Sequence, residues 1–526
     1  YRHDSNLDSS RLPNSFAMKI ASAARTAARQ GAALWRPVLS SGAPFSTLTV
    51  KDLPRHVVDC EYAVRGAVLL RAEELQSKLA NQLAGRGGDE EPLPFDQIVA
   101  CNIGNPQAVG HSPLMFHRQV MACLAEPSLL EKPGLFPEDV RERAAHYLRG
   151  MKDGRAGAYS HSKGHLVYRK DVAKFLADRD GVETDPEDVF LIDGASGAVK
   201  MVLQMLVRGP EDGVMLPIPQ YPLYSATMTL LGGQSVGYFL DESAGWGIST
   251  QELERSISEF RATGGKPRAI CVINPGNPTG QVLSREAMTD VLRFAEREKL
   301  PVLADEVYQD NIHTDEKSFI PVRKLAIELG INVEVFSFHS VSKGVTGECG
   351  LRAGFVHCHN VDKLVLDMMY KLASISLCSN VLGQALIASV VTPPPADGPS
   401  YAAFEEERLR TRTEMKEKAK MVTDRLNAIE GVSCQPIEGA MYAFPKVTIK
   451  GYVMKKAISL ATPADQVYCM EMVDRTGVVT VPGGGFGQKP GTFHFRTTIL
   501  PDRATLEKVL DRFEQFHKEH PGGWFR

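Results

Sequence analysis

Ala269-Ile270-Cys271-Val272-Ile273 is an unbroken apolar run that stops at Asn274-Pro275-Gly276-Asn277-Pro278-Thr279-Gly280, and apolar residues then recur at helical spacing over 284–298. A short continuous apolar run suits a strand covered on both faces, because a half-exposed strand alternates apolar with polar residues. The same pattern repeats outward in both directions. Residues 189–192 precede a predicted helix over 198–207, and the apolar runs 302–304 and 333–338 continue the series. Buried strands alternating with amphipathic helices predict an α/β fold, with a mainly parallel sheet between helical layers. Ligands of such sheets lie outside the carboxyl ends of the strands, so the residues just after each run are the first candidates for chemistry.

Composition narrows the classes. With 526 residues, 43% hydrophobic and 23% charged, the chain is globular and long enough for two or more domains. There is no long uncharged apolar run to span a membrane. Lys and Arg total 60 against 63 Asp and Glu, a net charge of -3, which gives no global field for a nucleic-acid backbone. The nine cysteines are scattered without a Cys-x-x-Cys pair, the pattern of buried thiols in a reducing compartment. Thr392-Pro393-Pro394-Pro395-Ala396-Asp397-Gly398-Pro399 breaks the chain before a charged helix predicted over 403–429, and residues 53–83 read as helical arm material. The first methionine is Met18, so residues 1–17 read as upstream sequence. Residues 18–50 carry Lys19, Arg25, Arg29 and Arg36, no acidic residue, and many Ala and Ser, the composition of an organellar transit peptide. The terminal residues 522–526 carry no Ser-Lys-Leu type of peroxisomal address.

Four segments at strand ends carry candidate chemistry. Asp193-Gly194-Ala195-Ser196-Gly197 ends a strand and opens a helix, where small residues and first-turn N–H groups suit a phosphate, although a plain Ser-capped turn reads equally well. Asn274 to Gly280 holds two Asn-Pro steps, which either form consecutive turns or fix the Asn277 amide over a ligand. Leu303-Ala304-Asp305-Glu306-Val307-Tyr308 ends a strand in a carboxylate that serves as a helix cap or as the partner of a pyridine nitrogen. Phe338-His339-Ser340-Val341-Ser342-Lys343-Gly344, with Arg352 nine residues beyond the lysine, places an amine among small residues just past a buried strand. Such a lysine suits Schiff-base chemistry.

In this order and spacing the segments resemble the class I aminotransferases that use pyridoxal 5'-phosphate, over about residues 54–516. Asn102-Ile103-Gly104-Asn105-Pro106-Gln107, Ile218-Pro219-Gln220-Tyr221-Pro222-Leu223-Tyr224, Gly347-Glu348-Cys349-Gly350 and Phe493-His494-Phe495-Arg496-Thr497-Thr498 resemble the alanine aminotransferase branch, which includes glutamate:glyoxylate aminotransferases. The resemblance implies the pyridoxal-phosphate transferase fold, with a seven-stranded type of sheet in a large cofactor-binding domain over 151–392. The expected organisation is completed by upstream residues and a mitochondrial transit peptide over 1–50, an N-terminal arm and small-domain segment over 51–150, and a C-terminal small domain over 393–526. Lys343 would form the Schiff base and shuttle the substrate proton, Asp305 would pair with the ring nitrogen, and Asn277 and Tyr308 would bond the ring's phenolic oxygen. Tyr221 would stack on the ring. Ala195, Ser196, Ser340 and Arg352 would hold the phosphate, with Tyr159 reaching in from a second subunit of a homodimer. Arg496 would fork onto the substrate carboxylate, with Asn277 and Gly104 beside it.

The implied activity is exchange of the amino group between L-alanine and 2-oxoglutarate in the mitochondrial matrix, with no metal, nucleic acid or membrane involved. Cytoplasmic or plastid placement follows if the leader is misread. The alternatives are glutamate:glyoxylate exchange and a lyase of the same fold. His161 and His165 stand four apart, but Ser162 and Gly164 disfavour a helical metal pair. Met368-Met369 reads as core or subunit interface.

Overall fold

The computed structural model describes residues 48–62, 66–86 and 91–519; the leader expected over 1–50 lies, up to residue 47, outside them. Seven strands form the main sheet: β1 (Val189–Ile192), β2 (Asp212–Ile218), β3 (Gln234–Phe239), β4 (Lys266–Ile273), β5 (Val302–Asp305), β6 (Val335–Ser340) and β7 (Gly354–His359). Their order is β1-β7-β6-β5-β4-β2-β3, parallel throughout except for β7, which runs against both of its neighbours. The carboxyl ends of the other six strands therefore lie along one edge.

The uninterrupted apolar run of β4 has the expected cause. Ala269, Cys271 and Ile273 pack with helices Ala195–Leu206, Leu223–Leu230 and Lys363–Ile375, while Ile270 and Val272 pack with Thr250–Ala262, Arg285–Glu298 and Val322–Glu328. Alternate side chains of one strand thus feed opposite cores, and both must be apolar. Helix Arg285–Glu298 starts where Ser284 Oγ accepts the Ala287 N–H at 3.2 Å and ends where Lys299 turns left-handed at φ 56°.

Helix Tyr401–Asn427 follows the proline-rich linker and leads to a smaller unit. Its strands are short: Tyr442–Ala443 and Val481–Pro482 flank Phe495–Thr498 antiparallel, and Val99–Ala100 pairs in parallel with Val478–Val479. Val68, Leu75, Leu79 and Val99 share a core with residues from Met415 to Phe516. Residues 114–151 go elsewhere. Leu114, Val120, Val140 and Tyr147 pack with helices Leu166–Asp180 and Val381–Val391 against β1 and β7, whereas Val109 still packs on the smaller unit's core and His111 bonds the Leu500 carbonyl. Among the described residues no helix is long and apolar enough to cross a membrane.

Candidate active site

The strand ends converge. β5 terminates in Asp305, β6 in Ser340 just before Lys343, β4 runs into Asn274–Asn277, and β1 leads through Gly194 into helix Ala195–Leu206. With Gly104 from the N-terminal segment and Arg496 from the C-terminal unit, they enclose a cavity of about 220 Å³. Gly104, Ala195, Ser196, Tyr221, Asn277, Asp305, Tyr308, Ser340, Lys343, Arg352 and Arg496 all line it. A larger cleft of about 1010 Å³ lies between the Asp241–Trp246 turn and residues 488–494, but none of these residues borders it. Lys343 Nζ donates to the Gly104 carbonyl at 2.7 Å.

Asp305 is buried and its charge is only half satisfied: Oδ2 accepts the Tyr224 hydroxyl at 2.9 Å, whereas Oδ1 has no partner. Burial pushes its titration up to about 6, against the lowering effect of the Tyr224 bond. A carboxyl held above its unfolded value binds more protons in the native state, so its ionisation destabilises the fold as pH rises through that window. The interval from 3.8 to about 6 corresponds to about 3 kcal/mol. In cofactor-free protein, Asp305→Asn is therefore expected to raise the melting temperature relative to wild type at pH 8, with the difference vanishing near pH 4. Superimposable melts at both pH values would remove the uncompensated carboxylate from the account.

The other end of the cavity is built for an anion. Ala195 and Ser196 open a 12-residue helix, whose first-turn N–H groups have no partner within the helix. Arg352 Nη2 reaches Ser196 Oγ at 3.2 Å and the Asp193 carbonyl at 3.3 Å, while Ser342 N–H donates to Ser340 Oγ at 3.1 Å. Gly194 is left-handed at φ 80°, and a Cβ there would strike the Arg352 guanidinium. Arg352 itself sits at φ 47°, a strained conformation for a side chain of that size, and has no carboxylate in salt-bridge range among the described residues. A helix N-terminus, serine hydroxyls and a guanidinium without a carboxylate partner match a phosphate dianion.

Arg496 is 1% exposed and likewise pairs with no described carboxylate. Its Nη1 donates to Asn277 Oδ1 at 3.1 Å and Nη2 to the Asn102 carbonyl at 2.5 Å, while Nε has no partner. The guanidinium is sandwiched 4.1 Å from the Tyr442 ring centre and 4.6 Å from that of Phe486. An unneutralised buried cation is costly unless an anion joins it, so this arrangement suits an anionic ligand such as a carboxylate.

Residues 128–513 match the family model for aminotransferase class I and II. The chain belongs to the class I and II aminotransferases. It is 43% identical over 477 residues to the mitochondrial alanine aminotransferase 2 of Arabidopsis thaliana, covering 90% of this chain and 87% of that one. It is also 43% identical over 482 residues to glutamate–glyoxylate aminotransferase 1 of the same plant, covering 90% and 97%. Among solved structures, alanine aminotransferase from Pyrococcus furiosus superposes with a TM-score of 0.70 at 25% identity, covering 89% of this chain and all of that one.

Enzymes of this family work with pyridoxal 5'-phosphate, and the residues here fit that group. The orphaned Asp305 Oδ1 suits a protonated ring nitrogen, the Ser196–Ser340–Arg352 cradle suits its phosphate, and Lys343 suits its aldehyde. Several contributors escape a reading by strand ends. Tyr224 fixes Asp305, Ser342 joins the cradle, and Asn102, Tyr442 and Phe486 hold Arg496. Tyr62 contacts Tyr221, hydroxyl to hydroxyl, at 2.8 Å. Tyr159 is not brought to the cavity by its own chain: its side chain is 79% exposed. The two histidines serve structure, His165 preceding helix Leu166–Asp180 and His161 stacking on Tyr370 with ring centres 5.0 Å apart.

Proposed function

We propose that the protein is an alanine aminotransferase, converting L-alanine and 2-oxoglutarate to pyruvate and L-glutamate in a ping-pong cycle. The observation that carries the reading is the unpaired, ring-sandwiched Arg496 guanidinium in the same small cavity as the Lys343 amine. It supplies one carboxylate site beside one amine, which is what a 2-amino or 2-oxo acid requires. Bound pyridoxal phosphate supplies a ring that accepts the electron pair released when the substrate Cα–H bond breaks. Arg496 grips the α-carboxylate through its planar fork and so orients that bond. Lys343 Nζ, as a free amine, takes the Cα proton and holds it inside the cavity. Asp305, ionised against a cationic ring nitrogen, favours electron withdrawal, and Asn277 and Tyr308 hold the ring's oxygen side. Ser196, Ser340 and Arg352 anchor the phosphate.

Alanine as donor is supported by the 43% identity to a relative of that name. Glutamate–glyoxylate exchange is the second reading, supported by an equally similar relative. Initial rates with alanine/2-oxoglutarate and with glutamate/glyoxylate test the choice: kcat/KM is expected to favour the first pair, and a preference for the second pair moves the substrate while keeping the chemistry.

We also propose a homodimer with Tyr159 donated to the partner's phosphate. The exposed Tyr159 is joined through the His161–Tyr370 stack to helix Lys363–Ile375, whose Leu364, Met368 and Ile375 are exposed while Met369 is buried. An apolar face of that kind beside the tyrosine suits a second copy. Sedimentation is expected to give twice the chain mass, and Tyr159→Phe to weaken cofactor retention; a monomer with unchanged activity contradicts this. Placement in the mitochondrial matrix rests on the basic leader and on the relative named mitochondrial, and cleavage of the leader by isolated mitochondria tests it.

A further inference from the structure

Tyr442 enters this cavity from a two-residue strand of the C-terminal unit and is 3% exposed. Its ring lies under Arg496, which accounts for a large side chain there but not for a hydroxyl. That hydroxyl reaches past the guanidinium to Gly104: a Cβ on Gly104 would clash with Tyr442 Oη and lie 3.3 Å from Lys343 Nζ. The phenol oxygen and the amine therefore converge on one point of the backbone, the residue whose carbonyl already accepts from Nζ. The Tyr308 ring closes the other side, with its centre 6.0 Å from Nζ and 6.3 Å from the Tyr442 ring.

We propose that Tyr442 is the proton partner of Lys343, a positioning residue whose oxygen receives the surplus proton of the lysine ammonium and leaves Nζ with the lone pair it needs at the substrate Cα. The inference rests on Lys343 being the amine that moves the substrate proton. The step balances: one proton passes from Nζ to Oη, the N–H bond breaking as the O–H bond forms. Ammonium with phenolate becomes amine with phenol, and the pair stays at net zero charge. The groups facing Tyr442 favour the phenolate side. Burial and, more weakly, Cys349 act against ionisation, but the Lys343 and Arg496 cations, helped by the neighbouring Tyr308 hydroxyl, outweigh them and bring the phenol below its ordinary range. Tyr308 and Tyr221, buried in the same cavity, are held well above that range.

Ultraviolet titration of tyrosinate in cofactor-free wild type, Tyr442→Phe and Lys343→Met tests the pairing without substrate. Wild type is expected to contain a tyrosine that ionises below the rest, absent in Tyr442→Phe and displaced upward in Lys343→Met. Superimposable wild-type and Tyr442→Phe curves, or an early tyrosine unmoved in Lys343→Met, overturn the proposal. In the holoenzyme, Tyr442→Phe keeps the ring under Arg496, so kcat is expected to fall about 10- to 100-fold, with KM little changed and the pH profile displaced. A rise in KM with kcat and pH profile intact assigns Tyr442 to Arg496 alone and also overturns it. If wild type proves unable to transaminate while the titration behaves as expected, the functional reading fails and the proton pair stands.

Discussion

Lys343→Ala is expected to abolish amino transfer, lowering kcat by roughly 10⁴-fold or more, the upper range for losing a positioned proton-transfer group. The lysine combines two tasks that no neighbour can assume. It is the amine of this cavity, held by the Gly104 carbonyl at 2.7 Å, and the rest of the lining offers hydroxyls, a thiol, amides, guanidinium groups and the Asp305 carboxyl, none of which forms a Schiff base. Borohydride reduction of the pyridoxal-phosphate enzyme is expected to fix the cofactor to wild type and not to the mutant. Equal labelling of the active-site peptide in both proteins would show that another amine does the work.

The second large effect is expected at Arg496. Arg496→Lys keeps the charge but loses the plane that lies between Tyr442 and Phe486 and the fork that reaches Asn277 and Asn102. A charged hydrogen bond contributes about 1.5–3 kcal/mol, so KM for both amino and oxo acids is expected to rise roughly 10- to 100-fold. The change in kcat should be smaller, because the lysine that moves the proton is intact. Unchanged Michaelis constants would exclude Arg496 as the carboxylate anchor.

Much of this site was legible because the sheet puts its chemistry where strands stop. Asp305, Ser340, Lys343 and the Asn277 loop each follow an apolar run, and the run itself signals a strand covered on both faces. Less legible strands had physical reasons to be quiet. β2 contains Gly213 and Pro217, and Pro217 is tolerated because its pairing with β4 has already ended at Met215↔Ile270. β3 is an edge strand with exposed residues at its start, and β7 carries His357 and His359. β6 extends beyond its apolar run because His339 and Ser340 still pair with Phe355 and Gly354. Tyr224 carried a usable signal, three positions after Tyr221 at the start of a helix, where residues at that spacing share a face. Tyr442 carried none, and Asn102 only its place in a family-like stretch. Tyr442 lies in a two-residue strand and Asn102 just beyond another, and only the tertiary pairing of distant segments brings them to Arg496.

The central claim is that one cavity joins a Schiff-base lysine to a carboxylate anchor and uses them on alanine. Its most direct test is the visible absorption spectrum of the purified enzyme with pyridoxal phosphate, recorded before and after L-alanine, with pyruvate assayed in the same cuvette. The account predicts a lysine–cofactor band that collapses on adding alanine, with one pyruvate released per active site. Folded protein that takes up no cofactor, or a band that neither alanine nor any other amino acid disturbs, would contradict it.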